Sequence, residues 1–75
     1  MPSLRQVSGE QAVKALERLG FIRARQRGSH VVLKKVTPTG TIGCVVPLHR
    51  ELKIGTLLGI LDQAQVDTQD FMKQL

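Results

Sequence analysis

The apolar residues of this chain change period twice, and that switch leaves few folds open to it. From Ala12 to Leu19 they recur at helical spacing: Ala12, Ala15, Leu16 and Leu19 form one stripe with Val13 beside them. Lys14, Glu17 and Arg18 face away. Ser8-Gly9-Glu10-Gln11 has the form of a capping box at the head of this stripe. Gly20 stands where a left-handed residue ends a helix, with Phe21 placed to fold back on Leu16. The spacing predicts a helix over about Gly9 to Leu19.

From Phe21 the pattern alternates. Phe21 to Gln26 reads as a strand in which Ile22 and Ala24 point one way and Arg23 and Arg25 the other. Arg27-Gly28 reads as a tight turn, with Gly28 supplying positive φ. Ser29 to Val36 is a second strand, with Val31 and Leu33 on one face and His30, Val32 and Lys34 on the other. A tight hairpin brings His30 close to Arg25. Thr37-Pro38-Thr39-Gly40 is a second turn. Thr41 to Val46 is a third strand, small or apolar on both faces and ended by Pro47. Leu48 to Lys53 reads as a polar, charged loop. Helical period then returns at Ile54, Leu57, Leu58 and Leu61, giving a helix from about Gly55 to Gln65. Asp67 caps a short last helix, with Val66 and Phe71 at hydrophobic-staple positions and Leu75 extending its apolar side.

Helix, three strands, helix and short helix make an α+β chain: a small three-stranded antiparallel sheet with helices on one face. Its 75 residues suffice for one domain, residues 1–75, without linkers or repeats. The other sheet face stays uncovered and is expected to display Arg23, Arg25, His30 and Lys34.

Charge narrows the function. Eleven Lys and Arg oppose six Asp and Glu, for a formal net charge of +5, which favours an anionic partner such as nucleic acid. Trp and Tyr are absent and Phe occurs twice, so recognition by base stacking is disfavoured. Arg23, Arg25, Arg27, Lys34 and Lys35 fall in one short block without an acid and read as a phosphate-binding patch. Cys44 is the only cysteine, which excludes an internal disulfide and a cysteine-built metal site. The six acids form no metal-ligand pattern, so a divalent-metal nuclease is disfavoured. With no signal peptide and no long apolar run, the chain reads as cytoplasmic, without a membrane anchor.

His30, among these cations, suits RNA cleavage by a neighbouring 2′-hydroxyl. Imidazole titrates near working pH and can serve as general base, while Arg and Lys stabilise the phosphorane-like transition state. His30 equally suits a strand histidine that only satisfies a hydrogen bond. His49 is either a phosphate-binding or acid residue or a solvated loop residue. Gly28 is turn chemistry, and Ser29 either orients His30 or binds phosphate, or does neither. Taken alone, these residues leave three readings open: a ribonuclease, a non-catalytic RNA-binding module, and an interaction protein whose sheet face, Val32 included, docks a partner.

Leu16 to Gly20-Phe21, Arg25-Gln26-Arg27-Gly28-Ser29-His30, Val46-Pro47-Leu48-His49, and Gly55-Thr56-Leu57 with Ile60-Leu61 resemble, in order and spacing, the HicA family of bacterial toxins. Gly28-Ser29-His30 after the Gly-Phe strand start is the most specific part. The resemblance implies a fold like the double-stranded-RNA-binding domain, α-β-β-β-α. It implies an mRNA interferase that cuts RNA without metal or other cofactor, with His30 as the catalytic histidine. It also implies a cognate antitoxin, HicB, encoded beside the toxin, that covers the active-site region.

Overall fold

A computed structural model describes residues 4–75, so Pro2 at the start of the chain lies outside the described residues. The elements are α1 (Gly9–Arg18), β1 (Ile22–Arg27), β2 (His30–Thr37), β3 (Gly40–Pro47), α2 (Ile54–Ala64) and α3 (Thr68–Met72). This is the α+β order read from the sequence, each strand beginning and ending within one residue of its expected limits.

Local chemistry sets the boundaries. The Ser8 hydroxyl accepts from the Gln11 N–H (3.1 Å) while the Gln11 side chain accepts from the Ser8 N–H (2.8 Å), closing the capping box. At the other end Gly20 has φ +102°. Its N–H donates to the Glu17 carbonyl, and the Phe21 N–H donates to the Leu16 carbonyl. That is the Schellman pair of bonds, and it turns the chain directly into β1. The Asp67 carboxylate caps α3 at the Gln69 N–H (2.8 Å), and Phe71 is fully buried.

The sheet order is β1-β2-β3, antiparallel throughout. Burial alternates along β2 and β3. Val31, Leu33, Cys44 and Val46 face the helices and are buried against Leu16, Leu57, Leu61 and Phe71. The apolar character of both faces of β3 left its orientation undecided from sequence; Ile42, Cys44 and Val46 take the inner face. No polar or charged side chain is buried among the described residues, so the chemistry of the molecule lies at its surface. No helix among them is long and apolar enough to cross a membrane.

Three expectations need correction. Leu48–Lys53 is not simply a polar loop: Leu52 is buried, Leu48 packs against the core, and the Leu52 N–H donates to the Val7 carbonyl. Leu75 does not extend the apolar side of α3, because it remains 41% exposed. The third concerns β1, where the pairing slips between Arg23 and Arg25. Ala24 is the extra residue of a β-bulge, and it inverts the facing of everything before it.

Candidate active site

The β1–β2 turn is Gly28-Ser29. Gly28 has φ +55°, and Ser29 keeps a negative φ, the combination of a type II′ turn, whose first central position favours glycine. A Cβ on Gly28 would meet nothing within 4 Å, so backbone conformation rather than space selects glycine here. The Gln26 side-chain amide donates to the Gly28 carbonyl (3.0 Å) and braces the turn.

His30 opens β2 and is exposed. It pairs with Arg27 on one side and Pro47 on the other, both in cross-strand register. Cross-strand partners share a face. The open face therefore carries Arg27 beside His30, then Arg25 beside Val32, then Lys34 beside Ile22. Arg27, not Arg25, is the direct neighbour of His30; Arg25 lies diagonally, one pair further along. Ala24, Arg25, Arg27, Val32 and Lys34 line a shallow depression on this face.

Arg23 is not there. The expectation that it shares the open face with Arg25 assumed unbroken alternation, and the bulge at Ala24 breaks it. Arg23 pairs with Leu33 on the helix side, 3.6 Å from carboxylate oxygens of both Glu10 and Glu17 of α1. Lys35, read from sequence as part of the phosphate-binding block, also lies on the helix side. Its ammonium donates to the Leu19 carbonyl (2.9 Å) at the C-terminal end of α1 and stands 5.8 Å from the centre of the Phe21 ring. Two of the five cations in the basic block thus hold helix to sheet.

Backbone bonds bring His49 to the same end of the molecule. The Leu48 N–H donates to the Ser29 carbonyl (2.6 Å), and the Gly9 N–H donates to the His49 carbonyl (2.9 Å). Ser29 acts here through its backbone, tying the turn to the Pro47–His49 segment. Gly9 lies close enough that a Cβ would stand 2.7 Å from the Leu48 Cα and nearer still to the Pro47 carbonyl oxygen. Sequence reasoning saw Gly9 only as part of a helix cap; a glycine at the first position of a strongly capped helix was the available signal for a close backbone approach.

Cys44 is buried, and burial pushes its thiol up to about 11, so it is a protonated core residue rather than a nucleophile at neutral pH. Among the described residues no group of three or more His, Cys, Asp or Glu is placed to hold a metal ion. The arrangement therefore offers one exposed imidazole at the end of a hairpin, a guanidinium paired with it, and two further cations along the same strand face. Together they suit binding and acid–base chemistry on a phosphodiester.

A family model described as the HicA toxin of bacterial toxin–antitoxin systems matches residues 9–66, from the first residue of α1 to just past α2. No curated protein matches the chain.

Proposed function

The chain belongs to the HicA toxin family, and from that premise we propose that it is a metal-independent endoribonuclease, an mRNA interferase. Neutral His30 takes the proton of a 2′-hydroxyl as its oxygen attacks the adjacent phosphorus. The new O2′–P bond forms as the P–O5′ bond breaks, leaving a 2′,3′-cyclic phosphate and a 5′-hydroxyl. The departing oxygen takes a proton from water, His49 or a lysine. Arg27, next to His30, stabilises charge on the phosphorane-like transition state, and Arg25 and Lys34 hold the backbone on either side. Gly28 and Ser29 fix the turn that presents His30. Arg23 and Lys35 support the fold rather than the RNA in this scheme. A HicB-type antitoxin masks the His30 end of the sheet.

One observation carries the reading: His30, Arg27, Arg25 and Lys34 share the sheet face that no helix covers. Base catalysis of this kind is worth about 10²–10⁴-fold. His30→Ala should therefore lose RNA cleavage and growth arrest while its thermal unfolding stays unchanged, since the side chain is exposed. Cleavage that persists in His30→Ala would refute the assignment. A non-catalytic RNA- or antitoxin-binding module is the alternative, favoured by the exposed Ile22, Val36 and Val45 on the same face; it requires His30→Ala to behave as the parent chain.

A further inference from the structure

The two edges of the sheet are unequal. The β1 edge carries the Ala24 bulge and three arginines, features that deter pairing with another strand. The β3 edge has neither: Gly40–Pro47 contains no charged residue and runs without a slip in register.

The direction of its backbone groups follows from one bond. Leu48 donates to Ser29 in the same register that pairs Val31 with Val46 and Leu33 with Cys44. Hydrogen-bonded pairs recur every second residue in an antiparallel ladder. Ile42, Cys44 and Val46 therefore bond to β2, and Thr41, Gly43 and Val45 point their N–H and C=O groups outward. Pro47 is next in the outward series and has no N–H, so the donor row ends there. Among the described residues no backbone–backbone bond outside the ladder engages these three residues.

We propose that this edge receives an extended segment of the antitoxin, with an acidic residue opposite Gly43; this rests on the toxin–antitoxin reading above. Lys34 pairs with Gly43 across β2–β3, and its Cγ lies 4.0 Å from where a Gly43 Cβ would stand. Because Gly43 has no side chain, the Lys34 stem meets no side chain there between it and the edge. Strands lie about 4.8 Å apart, so a residue opposite Gly43 sits about 10 Å from the Lys34 backbone, within the joint reach of a lysine and a carboxylate side chain. Thr41 and Val45 flank that position and suit β-branched partners. A net charge of +5 selects an acidic occupant. A second copy paired about Gly43 would set glycine against glycine, and in any register it would bring like net charges together. The added strand has one end beside Pro47, which pairs with His30, so the chain continuing past that end is delivered to the candidate catalytic end.

The test is amide hydrogen exchange on the ¹⁵N-labelled chain, alone and in complex with the antitoxin encoded beside it. Alone, Thr41, Gly43 and Val45 should exchange quickly and Ile42, Cys44 and Val46 slowly; in the complex all six should be slow. Gly43→Pro removes an outward donor and puts a ring beside the Lys34 stem, and should weaken the complex by about tenfold. A complex that forms with Thr41, Gly43 and Val45 still exchanging quickly overturns the edge proposal and leaves the toxin–antitoxin reading standing. Failure of any complex to form overturns that reading itself. Protection of the same three amides in the chain alone, growing with its concentration, overturns the choice of occupant.

Discussion

Replacing Gly9 by alanine inserts a methyl group between α1 and the segment that carries His49. The added Cβ would stand 2.7 Å from the Leu48 Cα and closer still to the Pro47 carbonyl oxygen, against about 3.4 Å for ordinary contact. Both obstacles are backbone, so no side chain can turn aside; the two segments must part by more than half an ångström. Overpacking of this kind costs about 1–3 kcal/mol. The Gly9–His49 bond (2.9 Å) is strained or lost, a further 0.5–1.5 kcal/mol by typical magnitudes, roughly. Alanine returns about 0.5–1 kcal/mol of helix propensity. The balance is a loss of about 2 kcal/mol, or roughly 8–16 °C in Tm for a domain of this size. Gly59→Ala is the control. It lies inside α2 with nothing within 4 Å of a new Cβ, so the same substitution should stabilise by about 0.5–1 kcal/mol. Thermal unfolding followed by circular dichroism measures both. Opposite signs are expected; Gly9→Ala unfolding within about 2 °C of the parent would refute the close approach, and with it the account of how His49 is held.

Other outcomes follow from the placement of the cations and the thiol. Arg25→Ala or Arg27→Ala should weaken RNA binding and reduce the slope of log affinity against log salt by about one, whereas Arg23→Ala should leave that slope unchanged, because Arg23 is paired with Glu10 and Glu17. Half-exposed pairs contribute little, so Arg23→Ala should cost at most about 1 kcal/mol in urea unfolding. Lys35→Met keeps the contact with Phe21 but loses the bond to Leu19, costing about 1 kcal/mol with no change in the salt slope of binding. Cys44 should resist alkylation at pH 8 until the chain unfolds. Its folded thiol titrates at about 11 against an ordinary 9.0, so the unfolded chain releases its proton first and stability falls as pH rises from 9.0 towards 11, by up to about 2–3 kcal/mol. A smaller fall in Tm across that range in Cys44→Ala than in the parent checks it.

Most of the fold was legible because its signals are local. Ser8 with Gln11, Leu16 with Phe21, and Asp67 at the head of the last helix each act within a few residues, and each forms a bond of the expected kind. The candidate site was less legible. Ile22-Arg23-Ala24-Arg25 alternates without interruption, and nothing in it marks Ala24 as a bulge; that residue is set by tertiary pairing, and it moved Arg23 off the open face. Lys35 has the same parity as Val31 and Leu33, but its tie to Leu19 depends on where α1 ends in space. Leu52 and Gly9 were hidden for the same reason: the bond partners that fix them, Val7 and His49, lie more than ten residues away along the chain.

The bulge at Ala24 also separates two selective pressures. On its near side an arginine is answerable to Glu10 and Glu17; on its far side Arg25 and Arg27 are answerable to whatever the sheet face binds. A relative of the same length that paired this strand without the bulge would exchange those duties, sending the first arginine outward and turning Ile22 towards the helices. Between such relatives, matching arginine to arginine by position would equate residues with different work. The unit to compare is the side of the bulge on which each one falls.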